Sequence, residues 1–172
     1  MALFDKRKQQ VRHAGQPLET FDWACRITRL DVRPDRMLAH VALSDERFCF
    51  TCPALVADVM KRFPNILSHT CVNDKGETFL SVAAHTPVPH LLEHMVIDEQ
   101  ARLDASLHNV VYVGKTSWTN RVAREACVQV SYADESIARR SFEVALRELN
   151  RALLDNAYRM VGPEARSTRP ST

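Results

Sequence analysis

Glycine is scarce in this 172-residue chain, at four residues, and no cluster of them forms the Gly-rich loop that cradles phosphates. A nucleotide-binding loop is therefore not expected. No apolar run approaches the ~20 residues of a membrane-spanning helix, so no membrane partner is expected either. The basic N-terminal stretch MALFDKRKQQVRHAGQP lacks the apolar segment that a secretory signal carries after its charges. Net charge is only +2, and no basic stripe of the kind that grips nucleic acid stands out. The arginines of the C-terminal third read more simply as a solvated helix face. Cysteine is present, but five is an odd number in a chain of ordinary core composition. That points to reduced thiols and a cytoplasmic setting rather than a disulfide framework. Cys49 and Cys52 form a C-x-x-C, yet no second ligand pair at zinc-finger spacing follows. Two semi-buried core cysteines are the simpler reading, and a redox pair is the alternative.

What remains is the composition of a globular domain, 45% apolar and 26% charged, in a length that supports one hydrophobic core. Residues 1–20 are polar and basic and read as a loosely held arm, 21–160 as a single domain, and 161–172 as a disordered tail. WACRITRLDV (23–32) roughly alternates apolar and polar residues, as a half-buried strand does, and MLAHVALS follows after the Arg33-Pro34-Asp35 break. RFCFTCPA reads as a strand end running into a helix start, with Pro53 where a first helical turn tolerates it. ALVADVMKRF has helical spacing and Pro64 stops it. Residues 68–78 are loop-like, with a turn at Asn73 to Gly76. FLSVAAHT is ambiguous between helix and strand. Pro87 and Pro89 open a helix reaching about Ala105. NVVYVGKTSW and EACVQVSYA are β-branched and aromatic, hence strands. A long helix capped by Asp134 runs to about Tyr158. The order predicts an α+β fold, an antiparallel sheet with helices packed on it.

One helix is chemically unusual. VPHLLEHMVIDEQ (88–100) puts His90, Glu93 and His94 among Leu, Met, Val and Ile. Residues i and i+4 of a helix are neighbours, about 5–6 Å apart at Cβ, so both imidazoles can reach one ion. Glu93 falls on the same face, while Leu91, Leu92, Met95 and Val96 can anchor the helix in the core. This is H-x-x-E-H, the inverted zinc-peptidase arrangement. Neutral imidazoles leave Zn²⁺ a strong Lewis acid, and a carboxylate that is not a ligand can take a proton from water. The bland alternative is two surface histidines on a helix flank. A catalytic zinc also wants a third protein ligand. In the last helix Ala138, Phe142, Ala145, Leu149 and Ala152 form an apolar stripe, and Glu135 extends it one turn toward the N-terminus. An inward carboxylate needs a partner, so Glu135 is the expected third ligand; its alternative is an ordinary first-turn acid favoured by the helix dipole. Glu143 falls with Arg139, Arg147 and Asn150 on the polar face. Asp98, one turn beyond His94, is a candidate to orient a ligand histidine, with a solvated acid as the alternative.

Several of these stretches together resemble the N-terminal domain of cyanophycin synthetase. They are CPALVADVMKRFPNILSHTC with its His-x-Cys, NDKGETF, VPHLLEHMVIDEQ, VGKT and VQVSYADESIARRSFEVALREL, in order from about Cys52 to Leu149. The H-x-x-E-H helix is also similar to that of insulinase- and pitrilysin-type peptidases. The resemblance implies an association with the Asp–Arg polymer cyanophycin, and a metallopeptidase-like site that in some members clips it. Carried over by position, it implies His90, His94 and Glu135 as zinc ligands and Glu93 as the base. The acid pair is Asp134-Glu135 rather than two glutamates, and the glycine after it is Ala138. The glycine-rich turn keeps only Gly76. The chain also lacks the ATP-using ligase parts of a synthetase. The expectation is a stand-alone, cytoplasmic Zn²⁺-dependent amide hydrolase acting on a peptide or Asp–Arg polymer. Lys115, Arg121, Arg124, Arg139 and Arg140 are candidates for its carboxylates. The competing expectation is a non-catalytic module that binds polymer or a partner, with a vestigial or structural metal. A second copy of the chain is a further candidate partner.

Overall fold

The computed structural model describes residues 22–104 and 110–161. The arm read at 1–20 and, Val161 aside, the tail read at 161–172 lie outside the described residues. The expected α+β architecture is observed: one antiparallel sheet with helices packed on one face. Strands β1 (Cys25–Val32) and β2 (Arg36–Leu43) form a hairpin closed by Arg33 N donating to Arg36 O at 2.8 Å. Helices α1 (Pro53–Met60) and α2 (Val88–Leu103) follow, then strands β3 (Gly114–Asn120) and β4 (Glu125–Ser131), and last α3 (Glu135–Val161). The sheet order is β1-β2-β4-β3, which leaves β1 and β3 at the edges.

Alternation sets the sheet's faces. Met37, Ala39 and Val41 of β2 stand opposite Val130, Val128 and Ala126 of β4, and all six are buried. The register continues that face onto Gly114, Thr116 and Trp118 of β3. Against it pack Leu91, Leu92, Met95 and Val96 of α2 and the α3 stripe Ala138, Phe142, Ala145, Leu149 and Ala152, all buried. Asp134 caps α3 as expected, its Oδ1 accepting from Ile137 N at 2.9 Å. Asn150, expected on the polar face, instead accepts from Ala24 N and Cys25 N and donates to Cys25 O, tying α3 to β1.

Three local readings change. β3 begins at Gly114, because pairing with β4 ends at Val130 and the Ser131 hydroxyl accepts from Val113 N at 2.8 Å; Val111 and Val113 are left exposed. Residues 46–52 are not a strand: a 3-10 turn, Glu46–Phe48, leads to a single bridge between Phe50 and Pro87. The ambiguous stretch at 79–86 is neither helix nor strand but two 3-10 turns, Phe79–Ser81 and Ala83–His85.

Candidate metal centre

Helix α2 is enclosed on nearly every side. Its polar residues Glu93, His94, Asp98, Glu99 and Gln100 are buried along with its apolar ones. Buried charge demands partners, and α2 has them. Glu99 is held by Arg62, at 3.1 Å, and by Arg102. Gln100 Nε2 donates to Ser131 O at 3.1 Å. The histidines meet a different neighbour, the loop between α1 and α2. A bridge between Thr70 and Thr78, with Cys71 N donating to Glu77 O at 3.0 Å, pins that loop. Asn73 Oδ1 accepts from Lys75 N and Gly76 N and holds the turn. The loop thereby carries His69 and Cys71 to the first turn of α2.

Cys71, His90 and His94 form a cluster whose donor atoms all lie within 4.8 Å of one another. His94 Nε2 is 3.3 Å from His90 Nε2, and Cys71 Sγ is 3.5 Å from His90 Nε2. A tetrahedral ion with Zn–N of about 2.05 Å and Zn–S of about 2.3 Å has ligand–ligand edges of about 3.3 and 3.6 Å. The two distances from His90 Nε2 match those edges, and the donor types are ones that zinc takes. The surrounding contacts fit it too, because one tautomer assignment satisfies all of them. His90 Nδ1 lies 2.8 Å from Thr86 Oγ1 and can donate to it. His94 Nδ1 lies 3.3 Å from His69 Nδ1, whose opposite nitrogen Nε2 lies 3.3 Å from Asp98 Oδ1. With protons on His90 Nδ1, His94 Nδ1 and His69 Nε2, both facing Nε2 lone pairs are free for a cation, and outer partners orient the rings. Phe79 closes the apolar wall, its ring stacked on His94 at 4.0 Å between centroids and edge-on to His90 at 5.2 Å.

Electrostatics agrees with a ligand role. Burial holds His90 below its ordinary pKa. Burial first, then the His90 and His69 rings, hold His94 down at about 3. Both rings are therefore neutral near neutral pH. Burial pushes the Cys71 thiol up, opposed by a hydrogen bond to Asn73, so a bound cation is what would draw off its proton.

Glu93 stands apart from the three ligand atoms. Its Oε2 accepts from Thr116 Oγ1 at 2.6 Å, and its carboxyl lies on Gly114, where an added Cβ would overlap Oε1, Cγ and Cδ. Glycine at 114 is thus a matter of space for the carboxyl. Burial pushes this carboxyl up to about 7, against the Thr116 hydrogen bond that lowers it.

The structure brings His90 and His94 together with Cys71, sets the Glu93 carboxyl against Thr116 and Gly114, and leaves Glu135 out. Glu135 is exposed on the first turn of α3, with Oε1 accepting from Arg139 Nε at 2.8 Å. The apolar stripe below it is buried as expected, but it does not extend to Glu135, because that turn stands at the exposed start of α3. The third donor beside His90 and His94 is Cys71 of the loop, where a carboxylate of the last helix was expected. Asp98 is buried and reaches the ligand His94 only through His69. Lys115, Arg121 and Arg140 are exposed, Arg124 is half-buried in the β3–β4 turn, and Arg139 pairs with Glu135. Cys71, His69, Thr86, Thr116 and Gly114 were not singled out from the sequence. The His69-x-Cys71 turn was the one signal pointing to the missing ligand.

No helix among the described residues is long and apolar enough to cross a membrane. Curated proteins give no match to the chain. A family model does match: that of the cyanophycin synthase-like N-terminal domain, over residues 39–154, which spans β2 to α3 and every residue of the cluster. The chain belongs to the cyanophycin synthase-like N-terminal domain family.

Proposed function

We propose that this domain is a zinc-dependent amide hydrolase, with Cys71 Sγ, His90 Nε2 and His94 Nε2 holding the ion and Glu93 serving as general base. The observation that carries the reading is the pair of ligand spacings, 3.3 and 3.5 Å, on a tautomer pattern that leaves both Nε2 lone pairs free. When bound, Zn²⁺ supplies Lewis acidity toward an amide carbonyl and makes nearby water more acidic. Three protein ligands leave a fourth tetrahedral position for substrate or water. Glu93, a buried carboxyl next in the chain to His94, would take a proton from water and return it to a leaving amine. Thr116 fixes Oε2, and Gly114 gives the carboxyl its place. His69 and Asp98 hold the His94 ring in its ligand tautomer. The family's association makes an Asp–Arg polymer the first substrate to test, followed by ordinary peptides.

A binding module with a structural metal is the second reading. It is favoured by the engagement of Glu93 with Thr116 and by the thiolate ligand, which softens an ion's Lewis acidity. The Glu93→Gln variant separates the two. Under the hydrolase reading it keeps zinc and loses amide cleavage by about 10²-fold or more, followed by mass spectrometry of products. Unchanged cleavage removes Glu93 as the base, and wild-type protein that carries zinc and cleaves neither Asp–Arg polymer nor peptides favours the binding module.

A further inference from the structure

A cavity of about 300 Å³ lies where the end of β3 and the β3–β4 turn meet the chain leading into α1, at the lower end of the size range of ligand pockets. Phe50, Trp118, Cys49, Arg121, Arg124 and Glu46 are among the residues that line it. Two chain segments connect it to the centre. Trp118 lies two residues along β3 from Thr116, on the same face, about 7 Å from the residue that holds Glu93. Phe50 precedes Thr51, which is hydrogen-bonded in both directions to Thr86, the residue that orients His90. Phe50 also stacks on His85 at 5.0 Å.

The charges of the cavity are unusually placed. Arg121 makes no side-chain hydrogen bond or ion pair among the described residues. Arg124 spends one donor, Nε, on Leu43 O at 3.3 Å, leaving the rest of its fork open. Its backbone sits at φ 58°, a left-handed conformation that glycine adopts without strain and arginine does not. A strained residue that delivers a guanidinium to a cavity wall is the kind of outlier from which a binding role is inferred. Two arginines against one glutamate leave the cavity lining net positive, and Phe50 and Trp118 add apolar surface that suits an aliphatic stem.

We infer that this cavity is the pocket for an acidic side chain of an extended peptide substrate, its carboxylate taken by Arg121 and Arg124 and its stem by Phe50 and Trp118. The inference rests on the hydrolase reading for its place beside the reacting bond, but its test needs neither zinc nor turnover. The probes are the capped tripeptide acetyl-Ala-Glu-Ala-amide, its glutamine counterpart and free glutarate. They are titrated into metal-free, ¹⁵N-labelled full-length protein while the Trp118 indole N–H signal is followed, with a Trp23→Phe variant identifying that signal. The glutamate peptide should shift it saturably, and the glutamine peptide should bind about tenfold more weakly, the loss of one charge-assisted contact. Arg121→Gln should weaken binding by a similar factor. So should Arg124→Gly, which removes the guanidinium while relieving the backbone strain, so that its loss of binding is not a loss of fold. Equal binding of the two peptides, binding of glutarate alone, or full binding by Arg124→Gly overturns the inference. Because the readout is taken without metal, a failed zinc measurement leaves this result standing, and the reverse also holds.

Discussion

Helices α2 and α3 both mix acidic and basic side chains with apolar ones, yet they use charge in opposite ways. α3 keeps its apolar stripe inward and places Glu135, Arg139, Glu148, Arg151 and Asp155 along its outer side as i,i+3 and i,i+4 pairs. Water screens those pairs, and each is worth only a few tenths of a kcal/mol. α2 has almost no outer side. Its Glu93, His94, Asp98 and Glu99 are each no more than 6% exposed, and each of the four acts on a specific partner. A charge in those α3 pairs can change with little consequence, whereas a change on α2 disturbs a partner that cannot turn to water.

The comparison is sharpened most by the ligand histidines. Zinc at about 1,000 times its dissociation constant should stabilise the wild-type fold by about 4 kcal/mol, or roughly 10 °C in melting temperature for a domain of this size. His90→Ala and His94→Ala should abolish that zinc-induced shift, read by thermal denaturation with and without added metal. A shift that survives in both variants would break the contrast between the helices.

Next in size is Gly114→Ala. The new methyl overlaps the Glu93 carboxyl, which is itself packed and hydrogen-bonded, so the metal-free fold should lose about 1–3 kcal/mol. The double variant Gly114→Ala, Glu93→Ala should recover part of the loss, measured by chemical denaturation.

An effect of comparable size is expected from pH. The Glu93 carboxyl is raised from 4.5 to about 7 in the fold, so between those values the folded state binds more protons than the unfolded chain. Its contribution therefore weakens the fold as pH rises from 4.5 to 7 and is constant above. Metal-free Glu93→Gln should gain on wild type across that window, by up to about 3 kcal/mol. His94 works the other way: held at about 3 instead of 6.5, it costs stability as pH falls below 6.5. Both proteins share that slope, so it cancels in their difference. A flat difference from pH 4.5 to 7 would remove the elevated carboxyl from the account. Smallest of all, Glu135→Ala should change stability by no more than about 0.5 kcal/mol, since it breaks one exposed pair.

The same contrast explains what the sequence disclosed. Helix α3, its Asp134 cap and the alternating strands β2 and β4 were legible because each is written in local periodicity: a stripe every three or four residues, or every second residue facing in. The nearness of His90 and His94 was legible for the same reason, since one helix face brings them together. Glu135 was misplaced because periodicity gives the direction of a helix face and says nothing of where packing along it ends. Cys71 and His69 come from a loop whose path depends on the Thr70–Thr78 bridge and the Asn73 turn. No periodicity encodes that, and only the short His-x-Cys turn marked it. Gly114 and Thr116 are selected by contact across the sheet with Glu93, a long-range fact invisible along the chain.

The central claim is that the third ligand is the loop thiol and not the α3 carboxylate. Zinc content of tag-free protein, measured after zinc loading and dialysis for wild type, Cys71→Ser and Glu135→Ala, tests it most directly. The account predicts about one zinc per chain for wild type and Glu135→Ala, and almost none for Cys71→Ser. Zinc retained in Cys71→Ser and lost in Glu135→Ala would contradict it.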